Sequence, residues 1–310
     1  LNFKDMKKLI FVIAAMLLIG ASAFAQPLLV QDKSYEKFST VSAEDYFVLK
    51  FYKSDSYAVK LKTDERIAAH VQAYVKNGTL YLILDEKGYS PELKKALRQK
   101  GAATPVLEAD VYMPSVTSLV FKNKVAVTHF DNFYTETFTL TASDNVLVSQ
   151  LNVDCSTAEL NLSKNAQVTG VVNAASKLYL NASNSTQVSL TQNGGNTFVN
   201  QSNSTYVDMK LTVNTLEIEA AGSSESHFSG TASLQKVTSA GLSRVDTELL
   251  EAKDGDVMLS GSAKCHVNVS ETLKVNLTGG SMLTFKRKPV FEIDRIVNSS
   301  LIKADDVKRK

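Results

Sequence analysis

Leu178-Tyr179-Leu180-Asn181-Ala182-Ser183-Asn184-Ser185-Thr186-Gln187-Val188 decides the fold. Leu178 and Leu180 alternate with polar residues, which is the two-residue period of a strand with one buried face. Asn184 follows in a small polar cluster, Ser183-Asn184-Ser185, and Asn is a residue type that tolerates a left-handed backbone at a sharp corner. Val188 reopens the apolar pattern. The same sequence of events recurs about twenty residues on, at Val199, Asn203 and Val207.

Carried outward, this recurrence organises most of the chain into vertical files. One file is Val127, Val148, Val168, Val188, Val207, Ser226, Val245, Cys265 and Leu283, with intervals of 18 to 21 residues. Eight residues before each member lies a wholly aliphatic file: Leu119, Leu140, Leu160, Leu180, Val199, Ile218, Val237, Val257 and Val275. Four residues before each lies a corner file: Asn123, Asp144, Lys164, Asn184, Asn203, Gly222, Gly241, Gly261 and Gly279. Lys164 breaks the Asn/Asp/Gly rule, so its corner is the one where a left-handed backbone is least expected.

A period near twenty fits one turn of a solenoid built from short strands and tight corners. A single turn cannot bury its own apolar face, so stacked neighbours must supply the core. Abundant Thr, Val, Asn and Ser disfavour helix. The expectation is an all-β chain: a parallel β-helix of about nine coils over 114–303, with parallel hydrogen bonding between coils. Asn161, Asn181, Asn200 and Asn276, seven residues before the first file, should point outward and hydrogen-bond from coil to coil.

Residues 26–113 read as an N-terminal strand-rich capping region containing a short helix, with 8 of the 11 Tyr in it. Strands are expected at Tyr46–Tyr52, Ala58–Lys62, Thr79–Leu84 and Leu107–Met113, with a turn at Asn77-Gly78. Glu65 to Tyr74 is expected to be a helix with Asp64 near its cap, and Pro91 to Gln99 a short charged helix. Val290 to Val297 and Ser300 to Lys303 should add final strands, before a charged tail at 304–310.

Residues 1–25 read as a cleaved secretory signal: basic Lys7 and Lys8, an apolar run Leu9 to Ile19, and Ala23-Phe24-Ala25 before Gln26, with Met6 as the expected start. The apolar run is too short to span a bilayer as a helix. Export to the periplasm, outer surface or exterior follows. Full-chain net charge is +2, and loss of Lys4, Lys7, Lys8 and Asp5 brings it to zero. A neutral chain without a basic cluster is a poor nucleic-acid binder, and no later segment suits a membrane span.

With the repeat and the signal in place, the sequence resembles the bacterial secreted head GIN domain family, described as an autotransporter adhesin head domain. The resemblance covers roughly residues 35–303. It is carried by Tyr46-Phe-Val-Leu-Lys-Phe51, Tyr57-Ala-Val-Lys-Leu61, Asn77-Gly-Thr-Leu80, and the small corners Ser260-Gly-Ser262, Thr278-Gly-Gly-Ser281 and Asn298-Ser-Ser-Leu-Ile302. It implies a right-handed, single-stranded parallel β-helix in or beyond the envelope, and transfers no catalytic residue.

Little in the chain signals chemistry. C-x-x-C, H-E-x-x-H, G-x-S-x-G and the Gly-Asp-rich calcium nonapeptide are absent, so no cofactor is expected. Cys155 and Cys265 fall five coils apart, about 24 Å, too far for a disulfide. One constellation stands out: the residues after the first file include Asp208, His227, Asp246 and His266, an alternating stack that could form a pH-sensitive or metal-binding patch. Alternating charge also simply avoids like-on-like stacking. His70 and His129 lack such a setting. Asp254 and Asp256 are the closest acid pair in the repeat. The expected function is a non-enzymatic binding module engaging a glycan or an envelope or surface protein. A carbohydrate-active enzyme, a polysaccharide lyase or hydrolase, and a self-associating envelope component are the alternatives.

Overall fold

A computed structural model of the chain describes residues 27–304. The expected signal, its cleavage site at Gln26 and most of the charged tail lie outside the described residues. Within them the chain is an all-β parallel β-helix with one short α-helix, α1 (Pro91–Arg98). Ser90 caps α1 through Oγ, which accepts from Leu93 N at 3.1 Å.

The coils stack in the register that the files require. Leu119 pairs with Leu140, Leu140 with Leu160, Leu160 with Leu180, and so on without slippage to Val257 and Val275. Val127 leads by the same steps through Val148, Val168, Val188, Val207, Ser226, Val245 and Cys265 to Leu283. Almost every member is fully buried. A shift of one residue would turn each strand inside out, so burial of both files pins the register. Ser226, the polar member, accepts a hydrogen bond from Gln201 Nε2 at 2.7 Å inside the core.

Every corner position has a left-handed backbone, from Asn123 (φ 54°) to Gly279 (φ 77°), Lys164 included at φ 52°. The doubt attached to Lys164 is therefore corrected: stacking above and below imposes the corner on a residue that does not favour it. The corner also changes type along the axis. From Asn123 to Asn203 the next residue is left-handed too, as at Lys124, Asn145, Asn165, Ser185 and Ser204; from Gly222 onward a single glycine turns the chain. Those glycines lie close, and a Cβ at Gly279 would sit 2.8 Å from the Gly261 carbonyl oxygen.

The solenoid extends beyond the expected coils at its N-terminal end, and the expected final strands close the other end. Val41 pairs with Leu119 and Leu49 with Val127, while Asp45 between them is left-handed at φ 65°. Thr40–Glu44 and Val48–Lys53 thus form a complete earlier coil, separated from the next by an insertion, and Thr79–Leu84 and Leu107–Met113 stack on it in turn. At the far end Val290–Val297 and Ser300–Lys303 stack on Thr272–Thr278 and Met282–Lys286. Ile293 is 56% exposed there, whereas Val275 beneath it is fully buried.

The expected helix at Glu65–Tyr74 is not formed. Only Ala68–His70 makes a short 3-10 turn, and Val71–Lys76 is a strand pairing antiparallel with Thr79–Leu84 across the Asn77-Gly78 turn. The alternation Val71, Ala73, Val75 and the left-handed Asn77 and Gly78 favour a hairpin over a helix. Asp64 caps no helix: its buried carboxylate takes a bidentate contact from Arg66 (Nη2–Oδ2 2.6 Å, Nε–Oδ1 3.0 Å). Leu28–Ser34 adds an exposed antiparallel strand to Ala58–Asp64. No helix among the described residues is long and apolar enough to cross a membrane.

Candidate functional site

Parallel stacking turns each outward position into a row, and two rows carry the chemistry. The first is the Asn row. Asn181 Nδ2 donates to Asn161 Oδ1 at 2.9 Å, and Asn200 is the register partner of Asn181 on the next coil. Asn161 also donates to Glu159 Oε1 at 2.8 Å. Each amide retains donors and acceptors toward solvent, because one coil-to-coil bond uses only part of its capacity. Ser163, Ser183 and Ser202 form a parallel row two residues on. Between the two rows runs a shallow cavity of about 320 Å³, lined also by Thr141 and floored by Leu162 and Ala182.

Two residues before Asn181 and Asn200, on the same strand faces, stand Tyr179 and Phe198. Their rings stack at 4.9 Å between centroids with 15° between planes. Along the strands their row runs Glu159, Tyr179, Phe198, Glu217, Lys236, Asp256, Lys274. The aromatic pair and its Asn neighbours are therefore an uncharged window between Glu159 and the alternating charges that begin at Glu217, and the first members of the row, Ser118 and Thr139, are uncharged as well. The Asn file was legible in the sequence; the aromatic pair was missed. The signal for it lay nine residues before the first file, where Tyr179 and Phe198 follow each other after Glu159.

The second row is Asp208, His227, Asp246 and His266, which the register places one above another as expected. They do not act as four equal rungs. His227 directs Nε2 to Glu225 Oε1 at 3.2 Å, and its ring lies 5.7 Å from that of Tyr206. Its Nδ1 lies 3.8 Å from Asp246 Oδ2, and His266 Nδ1 lies 3.9 Å from the same oxygen. Asp208 stands at the edge of the row: burial pushes its carboxyl up and the His227 charge only partly offsets this.

A bulge brings in a residue the sequence reading missed. Between His227 and Ser229 there is one residue, but between their partners Asp246 and Leu249 there are two, Thr247 and Glu248. The extra residue is accommodated by burying Thr247, whose Oγ1 donates to His266 O at 2.8 Å, while Glu248 turns outward beside Asp246. One ligand atom from each of Asp246, Glu248 and His266 lies within 4.8 Å of the others. Lys286 Nζ approaches Glu248 Oε1 at 2.8 Å. A cavity of about 270 Å³ adjoins them, lined by Glu248, His266, Met282, Phe285, Lys286 and Ile302 among others. The longer spacing from Val245 to Cys265 signalled the insertion, but not where its slack would be taken up.

The other residues singled out fall elsewhere. Asp254 accepts a hydrogen bond from Thr272 N at 3.2 Å, and Asp256 lies opposite Lys274 in the charged row, the ammonium of which meets Asp294 at 3.3 Å. His129 has more of a setting than expected: Nε2 lies 2.9 Å from Asp131 Oδ1 and the ring 4.8 Å from Tyr52. His70 packs edge-on against Tyr89. Cys155 and Cys265 are free and buried; burial raises the Cys155 thiol to about 11 and pushes Cys265 higher still.

The family model of the "Putative auto-transporter adhesin, head GIN domain" matches the sequence twice, over residues 37–190 and 142–289. This chain belongs to the head GIN domain family. The two overlapping matches follow from the repeat, since each can begin on a different coil. Among solved structures, this head GIN domain is similar to a "putative adhesin" from Parabacteroides merdae, with 12% identity, 89% of this chain and 96% of that one covered, and a TM-score of 0.55. A "putative adhesin" from Bacteroides fragilis is 14% identical, with 90% and 98% covered and a TM-score of 0.32. At such identities the likeness concerns the fold. No curated protein matches the sequence.

Proposed function

We propose that this head GIN domain is an exported, non-enzymatic surface protein that binds neutral glycans along the Asn161–Asn181–Asn200 row, an adhesin in the sense of its family. The uncharged window with the stacked Tyr179 and Phe198 rings carries this reading. A sugar ring offers an apolar C–H face and a rim of hydroxyls. Flat aromatic rings match the former, and amides that both donate and accept match the latter. Rows repeating at the coil spacing of about 4.8 Å would engage an extended polysaccharide at several points. The names of the family and of the Parabacteroides structure agree with an adhesin. An enzyme would need carboxylates converging on a groove, and of the closest acid pair in the repeat Asp254 is held by the Thr272 amide.

A glycan array identifies the ligand, and titration of the wild type against a Tyr179→Ala/Phe198→Ala double variant tests the site. Binding is expected to fall by roughly fivefold or more, given about 0.5–1.5 kcal/mol per lost ring contact, with circular dichroism unchanged. Glycan binding unaffected in the double variant would place the ligand elsewhere, and an array with no hits would remove the glycan reading.

A further inference from the structure

We propose that Asp246, Glu248 and His266 form a site for a divalent transition-metal ion of the zinc class. Three observations lead there. First, the stacking of coils and the bulge after Asp246 gather one imidazole and two carboxylates from two adjacent coils, with a ligand atom of each within 4.8 Å of the others. Second, Asp246 is oriented before any ion arrives. Its Oδ1 accepts from Glu248 N at 2.9 Å, which leaves Oδ2 facing the histidines. Third, the Oδ2 distance to His266 Nδ1 is 3.9 Å, too long for a hydrogen bond. It is near the span between two ligands of one tetrahedral ion, roughly 3.4 Å for metal–ligand bonds of about 2.1 Å. A few tenths of an ångström of side-chain movement in half-exposed residues would close it.

The donor set narrows the ion. An imidazole argues against calcium and magnesium, which take oxygen ligands. One imidazole with two carboxylates suits zinc and its neighbours. Three protein ligands leave a coordination position for water or an acidic group of a ligand, beside the cavity lined by Met282, Phe285 and Ile302. Lys286 now places its ammonium 2.8 Å from Glu248. It stands where a bound ion would compete, so it is an antagonist of the site rather than a part of it. Nothing in this site touches the Asn row, and the proposal is independent of glycan binding.

The test is calorimetric titration of the tag-free, chelator-treated protein with zinc chloride, read together with the imidazole resonances of His266. The expected result is one ion per chain with the His266 resonances displaced. His266→Gln and Glu248→Gln should each weaken binding on the order of tenfold or more. Lys286→Met should tighten it, and unfolding without zinc should be unchanged for His266→Gln. Two results would overturn the proposal: absence of binding at millimolar zinc, or stoichiometric binding that survives both His266→Gln and Glu248→Gln.

Discussion

A single backbone torsion, repeated at each corner, separates residues that suit this fold from residues that endure it. Lys164 holds φ 52° where its neighbours in the file are Asp144 and Asn184. A side chain without an Asn-like local hydrogen bond sits there at a cost near 1 kcal/mol. Lys164→Asn is expected to raise stability by about 0.5–1 kcal/mol, even though it removes an exposed ion pair with Asp144 at 3.2 Å, which is worth little. Gly279→Ala should lower stability by roughly 2–3 kcal/mol, combining backbone strain with a collision against the Gly261 backbone. Urea midpoints at constant slope check both, and a stabilised Gly279→Ala would contradict the packing. This corner chemistry was largely legible, because Asn, Asp and Gly advertise their backbone preference. Lys164 was legible only as an exception, since its conformation is imposed by neighbouring coils and not by its own side chain.

At the scale of elements, what the sequence concealed was the effect of insertions. Val41, Asp45 and Leu49 repeat the spacing of the three files, yet the insertion that follows delays the next coil to Leu119 and hides the kinship. Glu65 to Tyr74 reads as a helix, although Val71 to Tyr74 belongs to the strand Val71–Lys76, because a short stretch with few turns offers little period to judge and only its hairpin partner decides it. Glu248 was hidden likewise, by a bulge that falls where the register shifts between His227 and Ser229. The insertion is tied down by Asp64 and Arg66. Burial of the Asp64 carboxyl alone would raise its pKa, but the hydrogen bonds and charge of Arg66 outweigh this and hold it below the ordinary carboxylate range. A depressed carboxylate stabilises the fold above its unfolded pKa, and that stability is lost as the pH falls through the lower folded value. Arg66→Met should therefore cost on the order of 3 kcal/mol at neutral pH, by removing the cationic partner of a buried carboxylate that keeps its hydrogen bond from the residue-66 amide, and part of the loss should vanish in acid. Unfolding curves at several pH values for Arg66→Met and wild type check this; a penalty that grows on acidification would contradict it.

Over the whole molecule, function follows from translation along one axis. Residues some twenty apart in sequence become neighbours, so a row of identical side chains needs only a repeat and not a designed pocket. This explains why the Asn and Asp/His rows could be read directly, whereas the aromatic window and the metal cluster required knowing which faces meet. It also explains why the core can change character along the axis. Aromatic pairs such as Phe51–Phe130 and Phe130–Phe133 fill the first coils, and buried Gln201, Ser226, Ser239 and Ser243 occupy later ones.

The most direct test of that translation is a set of distances between spin labels on introduced surface cysteines. Cys155 and Cys265 are buried, with thiols held protonated by burial, so native positions should resist labelling. Labels paired with Ser189 would be placed at Asp208, His227, Asp246 and His266, all in one outward row. Stacked coils predict separations that lengthen by about 4.8 Å per coil, reaching about 19 Å for Ser189 and His266. Distances that fail to increase with coil number would contradict the stacking on which both proposed sites depend.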